Sequence, residues 1–216
     1  MKSRNLYLVR HGQSIYNLEN RFTGWKDVEL TSLGRKQAKE AGIILSNVRF
    51  DYGYISNLKR AQNTLKIIFD EIDQNPIIES SIALNERDYG DLIGQNKKEA
   101  AEKFGVKQVQ IWRRSFDIPP PGGESLKMTS ERTLPYYIDT ILPRVMDSNN
   151  VIISAHGNSI RAIVMEIFKL TPEQILKTEI GWCEPWKISF SKNGDIKKYK
   201  IIPRPSESSN SHLSID

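Results

Sequence analysis

Residues 6–17 read LYLVRHGQSIYN, and this stretch sets the expectation for the whole fold. Its first four residues are apolar, which is typical of a short buried strand. The strand pattern ends at Arg10-His11-Gly12, where polar residues and a glycine indicate a loop. Residues 151–155 form a second buried strand pattern, which ends in the same way at His156-Gly157-Asn158. Two strands therefore lead into matching His-Gly junctions.

Strand and helix patterns alternate along the chain. The other strand patterns cover residues 52–56, 186–190 and 196–202, with a strand or extended segment at 76–84 and a turn at Asn193-Gly194. Helical spacing covers residues 31–48, 58–72, 96–104, 125–146 and 159–168, and Pro135 is expected to kink or split the fourth of these. This alternation predicts an α/β fold with a mainly parallel sheet that carries helices on both faces.

Length and composition bound the domain organisation. With 216 residues, 38% hydrophobic and 26% charged, the chain has the size and composition of one globular domain. We expect this domain over residues 1–202 and a flexible tail over the Ser-, Pro- and Asn-rich residues 203–216. No apolar run nears the roughly 20 residues that cross a bilayer, and residues 1–5 do not resemble a secretion signal. The single cysteine, Cys183, excludes an internal disulfide, so we expect a cytoplasmic protein.

The charge balance favours an anionic partner. There are 31 basic and 26 acidic residues, giving a formal net charge of +5, which suits nucleic acid, an anionic membrane surface or small phosphorylated molecules. The basic residues occur in doublets such as Arg113-Arg114 rather than in a long tract, and no nucleic-acid-binding motif occurs. We therefore expect a small phosphorylated substrate, and neither nucleic acid nor a membrane as a partner.

The two His-Gly junctions form the candidate site. Only three histidines occur in the chain, and two of them, His11 and His156, occupy matched strand ends. Ligands of open parallel sheets bind beyond the carboxyl ends of the strands, which directs attention to both junctions. The glycine after each histidine lets the backbone turn sharply and approach a ligand. Ser14 and Ser159 stand where a following helix could begin, and helix N-termini attract phosphate.

Other chemistries lack their sequence signals. Zinc binding is the main competitor, but there is no H-E-x-x-H, no C-x-x-C and no close pair of histidines. Arg10 beside His11 would repel a metal and attract a phosphate. The phosphate-binding motifs G-x-x-x-x-G-K-[ST] and G-x-G-x-x-G are absent, as is the G-x-S-x-G nucleophile motif. The sequence therefore favours phosphate chemistry at the two histidines over metal binding.

Several motifs resemble a known family. The junctions at His11 and His156 resemble those of the histidine phosphatase superfamily. Within it, the chain is similar to the cofactor-dependent phosphoglycerate mutases. The matching blocks are LVRHGQSIYN (8–17), NRFTGW (20–25), LKR (58–60), LNERDYG (84–90), WRR (112–114) and AHGNSIR (155–161). These blocks lie within residues 5–202, so the resemblance covers the whole expected domain.

The resemblance implies a mechanism and a set of site residues. His11 would be the nucleophile that becomes phosphohistidine, Arg10, Arg60 and His156 would surround the phosphoryl group, and Glu86 would exchange the proton. The reaction would interconvert 3-phosphoglycerate and 2-phosphoglycerate, with 2,3-bisphosphoglycerate as the priming cofactor and no metal. Together with Arg10, His11, Arg60 and Glu86, the substrate site would comprise Gly12, Gln13, Ser14, Ile15, Tyr16, Asn17, Thr23, Gly24, Arg87, Asp88, Tyr89, Lys97, Arg113, Arg114, Gly157 and Asn158.

Physical chemistry supports these roles. An imidazole attacks only when it is neutral, and nearby arginines disfavour its protonation. The transferring phosphoryl group carries negative charge on three oxygens, so preorganised arginines stabilise it without a metal. Their planar guanidinium groups grip phosphate at two points. One buried carboxylate can both take and return the proton of the substrate hydroxyl, and Glu86 needs burial to do so.

Three features differ from the family pattern. Gln13 stands where the family usually has Glu, and Asp88 stands where it usually has His. Residues 119–125, PPPGGES, pass directly into the next helix, whereas longer members carry an extra segment that helps to cover the site. A phosphatase that discharges His11 to water is therefore the alternative, and a nucleic-acid-binding module is a distant third. The sequence leaves the oligomeric state open, with a homodimer among the expectations.

Overall fold

The first strand, β1 (Asn5–Arg10), lies in the middle of the sheet because both of its faces are apolar. The computed structural model describes residues 4–147, 149–206 and 209–215. Leu6 and Leu8 pack into one buried cluster, whereas Tyr7 and Val9 pack into another on the opposite face. This alternation follows from the two-residue period of a strand. Helices therefore have to cover both faces of the sheet.

Six strands form one sheet in the order β3-β2-β4-β1-β5-β6. The four strands β3, β2, β4 and β1 are parallel, β5 is antiparallel to β1, and β6 is antiparallel to β5. The predicted α/β fold with a mainly parallel sheet is thus confirmed. The strands after β1 are β2 (Tyr52–Ile55), β3 (Ile77–Ser80), β4 (Asn150–Ala155), β5 (Trp186–Phe190) and β6 (Ile196–Ile201).

Helices cover both faces, as predicted. Ala38, Ala41 and Leu45 of α2 pack with α3 on the Tyr7 face, and Leu126 of α6 packs with α8 on the Leu6 face. The α-helices are α1 (Ile15–Leu18), α2 (Ser32–Leu45), α3 (Lys59–Glu71), α4 (Lys97–Phe104), α5 (Val106–Arg114), α6 (Leu126–Tyr136), α7 (Leu142–Met146), α8 (Gly157–Phe168) and α9 (Pro172–Lys177). Short 3₁₀ turns cover Ile82–Leu84 and Gly90–Leu92.

Sequence patterns and structure differ in a few elements. The helices α1, α5 and α9 were not among the predicted elements, and the strand expected within 76–84 covers only Ile77–Ser80. The interruption at Pro135 is confirmed, because α6 ends one residue later and a π-helical turn, Tyr137–Ile141, leads into α7. The chain thus stays helical through the interruption rather than breaking into a loop.

Two helices, α4 and α5, form a unit that we call the roof. Ala100 and Val109 pack with Phe22 and Leu92 in a small cluster that is separate from the two sheet-face clusters. Gly105 joins the two helices at a φ of 89°, a backbone conformation that favours glycine. The roof brings Lys97, at the start of α4, and Arg113 and Arg114, at the end of α5, to one side of the molecule.

The C-terminal tail contacts the domain. Arg204 donates to the carbonyl of Trp182 at 2.9 Å, and His212 pairs with Glu179 through two backbone hydrogen bonds of 3.0 Å each. Leu213 packs against the Leu6 face of the core. The predictions of a flexible tail and of no secretion signal concern some residues that the structure does not describe. These are residues 1–3, 207–208 and 216. The flexibility of the tail stays a prediction. Within the part that the structure describes, no helix is long and apolar enough to cross a membrane.

Candidate active site

His11 and His156 meet at the carboxyl ends of neighbouring strands. Arg10 at the end of β1 is in register with Ala155 at the end of β4, and the backbone N–H of His11 donates to the Ala155 carbonyl at 3.0 Å. The two imidazole rings consequently lie 5.0 Å apart between centroids, at an interplanar angle of 59°. Both side chains are buried. The parallel sheet thus converts two motifs separated by 145 positions in the sequence into one site.

A hydrogen bond defines the tautomer of His11. Its Nδ1 lies 2.7 Å from the carbonyl oxygen of Gly12, which can only accept, so Nδ1 carries the proton and Nε2 keeps its lone pair. Burial lowers the pKa of His11 well below its ordinary value, and the charges of Arg60 and Arg10 lower it further. His11 is therefore neutral at neutral pH, with Nε2 able to act as a nucleophile.

Close packing fixes the loop that carries His11. The Gly12 N–H donates to Thr64 Oγ1 at 3.1 Å, and the Thr64 hydroxyl donates to the carbonyl of Arg60 at 2.7 Å. A Cβ on Gly12 would lie 2.3 Å from the carbonyl oxygen of Gly34. Glycine is thus required at this position because the backbone of α2 passes so close to it.

His156 is oriented through its other nitrogen. Its Nε2 lies 2.7 Å from Ser56 Oγ, at the end of β2. Burial lowers the pKa of His156 well below its ordinary value, and Arg60, His11 and Arg10 contribute in the same direction. The buried Nδ1 of His156 has no hydrogen-bond partner among the described residues. It can therefore serve a ligand that enters beside His11.

Arg10 and Arg60 flank the two histidines. Arg10 donates through Nη1 to the Ile180 carbonyl at 2.9 Å, and its guanidinium lies 5.4 Å from the ring centroid of Trp182. Arg60 donates to the carbonyls of Gly24 and Lys26 at 2.8 and 3.0 Å. Burial lowers the pKa of Arg60 to about 10, so the group stays charged at neutral pH. The Nε atoms of both arginines are buried and have no partner within the described part of the chain.

Glu86 is a buried carboxylate held from one side. Only 8% of the residue is exposed, and its Oε1 accepts hydrogen bonds from the backbone N–H of Arg87 at 2.7 Å and from Asn158. The Asn158 donors are the backbone N–H at 3.2 Å and Nδ2 at 2.9 Å. Glu86 is thus a buried carboxylate that is joined to the start of α8.

A second set of contacts holds the backbone of Glu86. Trp25 Nε1 donates to the Glu86 carbonyl at 2.6 Å, and Arg132 Nη2 donates to the same oxygen at 2.9 Å. Arg132 also donates to the carbonyl of Asn85 at 3.1 Å and forms an ion pair with Glu124 at 2.8 Å. Trp25 and Arg132 therefore position Glu86 from outside the cavity.

Arg10, His11, Arg60 and Glu86 line a cavity of about 170 Å³. Thirteen residues expected in the site line this cavity. They are Arg10, His11, Asn17, Thr23, Gly24, Arg60, Glu86, Tyr89, Lys97, Arg113, Arg114, Gly157 and Asn158. The roof contributes Lys97, Arg113 and Arg114. Burial lowers the pKa of Lys97, and the positive charges of Arg113 and Arg10 act in the same direction, which reflects the concentration of cations.

Eight other expected site residues do not line the cavity. Gln13 Oε1 accepts a hydrogen bond from Thr31 at 2.9 Å, and Ser14 caps α1. Arg87 donates to the Tyr89 hydroxyl at 2.8 Å and to the Arg113 carbonyl at 3.1 Å. The expected site residues that do not line the cavity are Gly12, Gln13, Ser14, Ile15, Tyr16, Arg87, Asp88 and His156. Among them, the Asp88 side chain accepts from the Gly90 N–H at 2.9 Å.

Four residues line the cavity without having been singled out from the sequence. They are Arg21, Phe22, Arg161 and Glu179. Arg21 and Phe22 belong to the NRFTGW block and Arg161 ends the AHGNSIR block, so the motifs contained a signal for these three residues. Glu179 lies outside every block. Among the described residues, no group of three or more His, Cys, Asp and Glu side chains could hold a metal ion.

Comparison with known proteins gives the family. The model of the histidine phosphatase superfamily (branch 1) matches residues 6–200. The chain belongs to the histidine phosphatase superfamily. It is 55% identical over 184 residues to a 2,3-bisphosphoglycerate-dependent phosphoglycerate mutase of Bradyrhizobium sp. (strain ORS 278), covering 84% of this chain and 89% of the relative. The resemblance to the cofactor-dependent phosphoglycerate mutases is thereby confirmed.

A second mutase and a solved phosphatase are also similar to this chain. A 2,3-bisphosphoglycerate-dependent phosphoglycerate mutase of Parvibaculum lavamentivorans is 52% identical over 203 residues, covering 92% of this chain and 97% of the relative. A solved mycobacterial glucosyl-3-phosphoglycerate phosphatase matches with a TM-score of 0.79 at 25% identity, covering 92% of this chain and 97% of the other. The solved phosphatase thus resembles this chain in fold, whereas the two mutases are much more similar to it in sequence.

Proposed function

We propose that this chain interconverts 3-phosphoglycerate and 2-phosphoglycerate through a phosphohistidine at His11. Relatives of that activity share more than half of their residues with it over most of the chain. The observation that carries the proposal is the set of buried side-chain nitrogen atoms beside His11 that have no partner in the part of the chain that the structure describes. Arg10 Nε, Arg60 Nε and His156 Nδ1 have no partner among the described residues. Each would cost about 1–3 kcal/mol if left unsatisfied, and a phosphoryl group offers oxygens to all three.

Phosphoryl transfer begins at His11 Nε2. Its lone pair attacks the phosphorus atom of a bound phosphomonoester, and the bond from phosphorus to the ester oxygen breaks. Negative charge on the transferring oxygens is stabilised by the guanidinium groups of Arg10 and Arg60 and by His156. The Gly12 carbonyl holds the Nδ1 proton throughout and keeps the ring in its reactive tautomer.

Glu86 exchanges the proton of the substrate hydroxyl. When the phosphoryl group moves from His11 to a hydroxyl of the bound phosphoglycerate, that hydroxyl loses a proton to the Glu86 carboxylate. In the opposite direction, Glu86 returns the proton to the departing oxygen. Three donors hold Oε1, from Arg87 and Asn158, so the carboxyl group has a fixed orientation toward the cavity.

The cavity fits the proposed primer, 2,3-bisphosphoglycerate. This molecule carries two phosphates and a carboxylate, and the described cavity lining holds seven Arg or Lys side chains against two carboxylates. Arg10 and Arg60 would hold the phosphate next to His11, whereas Lys97, Arg113 and Arg114 of the roof would hold the outer anionic groups. When bound, the primer supplies the phosphoryl group that charges His11. No metal is required by this scheme, because cationic side chains carry the electrostatic role.

The test is a paired measurement on one enzyme preparation after exhaustive dialysis against EDTA. Isomerisation of 3-phosphoglycerate and release of inorganic phosphate are measured with and without 2,3-bisphosphoglycerate. We expect isomerisation to depend on the primer and to exceed phosphate release. Faster phosphate release than isomerisation would establish the phosphatase alternative. Loss of activity that Mn²⁺ or Zn²⁺ restores would contradict the metal-free scheme.

The cellular setting and assembly are part of the proposal. We expect a cytoplasmic enzyme of glycolysis and gluconeogenesis that binds neither nucleic acid nor membranes. A homodimer has some support in the edge strand β3, on which Ile77 and Ile78 are 59% and 43% exposed. Light scattering coupled to gel filtration would decide between monomer and dimer. Cell fractionation would test the location.

A further inference from the structure

Glu179 places a carboxylate in a cavity whose other charged groups are mostly cations. Its Oε1 accepts from Arg114 Nη1 at 2.8 Å, and its Oε2 accepts from Arg161 Nη2 at 2.8 Å. Both arginines line the same cavity as His11. A carboxylate near an anion-binding site would repel the substrate, because both carry negative charge. The two ion pairs offset this repulsion, since each oxygen of Glu179 is hydrogen-bonded to an arginine.

The position of Glu179 is fixed from several directions. Its backbone forms two hydrogen bonds of 3.0 Å with His212 of the tail, and Arg161 Nε donates to the neighbouring Thr178 carbonyl at 2.9 Å. Burial alone would raise the pKa of Glu179, but the charges of Arg161 and Arg114 outweigh it and lower the pKa. Glu179 is therefore charged at neutral pH, and hydrogen bonds hold both its backbone and its side chain.

Arg114 is the partner in this pair that belongs to the roof. It lies in the last turn of α5, its side chain is 40% exposed, and the roof packs through its own small cluster. Among the ion pairs of the described residues, Arg114–Glu179 is the one that joins the roof to the rest of the domain. A long exposed arginine loses about 2 kcal/mol of rotamer entropy when a ligand orders it. A partner that orders Arg114 beforehand removes much of that cost from substrate binding.

We propose that Glu179 is a positioning residue, which holds Arg114 at the cavity wall and thereby favours phosphoryl transfer to glycerate over transfer to water. The proposal rests on the proposed function, in which Arg114 grips the outer anionic groups of the substrate. The guanidinium group has five N–H donors and gives one of them to Glu179, so the others can bind substrate. Arg161 donates to the second oxygen and so connects Glu179 to α8, which begins directly after His156.

The experiment compares Glu179→Gln and Glu179→Ala with the unmodified enzyme. KM for 3-phosphoglycerate and kcat are measured together with the ratio of isomerisation to phosphate release. We expect KM to rise by about five-fold in Glu179→Ala, the size of a partly exposed ion pair, with little change in kcat. The ratio should fall in both variants, and less in Glu179→Gln because its amide oxygen can still accept from Arg114. Asp70→Asn, which removes an exposed ion pair with Lys66 on α3, is the matched control and should change neither quantity.

A double variant separates positioning from general stability. If Glu179 acts through Arg114, then Arg114→Ala with Glu179→Ala should have the same KM as Arg114→Ala alone. An additive loss in the double variant would overturn the proposal, as would an unchanged KM and ratio in both single variants. A lower KM in Glu179→Gln would also overturn it, because Glu179 would then compete with the substrate. The proposed function fails separately, when the unmodified enzyme does not isomerise 3-phosphoglycerate.

Discussion

The rings of His11 and His156 lie 5.0 Å apart, and a different ring nitrogen is hydrogen-bonded to the protein in each. His11 gives its Nδ1 to the Gly12 carbonyl, whereas His156 gives its Nε2 to Ser56. The nitrogen left for the ligand is thus Nε2 in His11 and Nδ1 in His156. Two histidines in similar motifs can therefore have different roles, one as nucleophile and one as a hydrogen-bonding partner of the transferring group.

The difference between the two histidines predicts different defects. His11→Ala should abolish labelling by 2,3-bisphosphoglycerate, since no nucleophile remains. His156→Ala should retain the labelling but slow it by about 10²-fold, the order found when a single oxyanion donor is removed. The measurement is the amount and rate of acid-labile, base-stable phosphate bound per chain. Labelling that persists in His11→Ala would place the nucleophile elsewhere.

The fold followed from local patterns to a large extent. Residues 6–9 and 151–155 are apolar on both faces, so they could be assigned as buried parallel strands. The helix α5 was harder, because Val106–Arg114 buries only Val109 and belongs to the roof, whose packing depends on distant Phe22 and Leu92. With one buried residue in nine, this short helix shows few of the apolar positions from which a core-facing helix is predicted.

The site could be anticipated where a residue lies inside a motif. Arg10, Arg60 and Glu86 stand in matched blocks, and the structure brings them to one cavity. Glu179 lies outside the blocks, and its relation to Arg114 depends on the register between the tail and residues 178–180, which no local pattern reveals. Arg132 was missed for a similar reason, since most of its partners are backbone carbonyls of residues 83–86, which carry no signal in the sequence.

Replacing Glu86 tests its role in proton exchange. Glu86→Gln keeps the shape and the hydrogen bonds that an amide oxygen can accept from Asn158, but it removes the proton acceptor. General acid–base catalysis contributes about 10²- to 10⁴-fold, so kcat for isomerisation should fall by that order, with KM changed little. A kcat within a few-fold of the unmodified enzyme would show that Glu86 only supports the structure. Steady-state kinetics with 3-phosphoglycerate make this measurement.

Replacing Arg132 tests how Glu86 is held. Lysine cannot reproduce the planar fork that bonds the Glu86 and Asn85 carbonyls and pairs with Glu124, so Arg132→Lys should disturb this segment. Lysine keeps the positive charge beside Glu124 but loses hydrogen bonds to these two carbonyls, and each such bond contributes about 1 kcal/mol to folding stability. We expect a lower Tm together with a fall in kcat, because Glu86 is displaced from its working position. A variant with full kcat and a lower Tm would confine Arg132 to a structural role.

Stability should depend on pH through the two buried histidines. Their pKa values in the folded chain lie well below the ordinary 6.5, whereas in the unfolded chain they return to about that value. As the pH falls below 6.5, the unfolded chain binds protons that the folded chain does not, so the free energy of unfolding decreases. Each histidine contributes a slope of roughly 1.4 kcal/mol per pH unit between its two pKa values.

Urea unfolding of the unmodified chain and of His156→Gln at pH 7, 6 and 5 measures the contribution of His156. We expect the loss of stability between pH 6 and pH 5 to be smaller in His156→Gln, because one of the two histidines is gone. Equal losses in the two proteins would mean that His156 is protonated as readily in the folded chain as in the unfolded one.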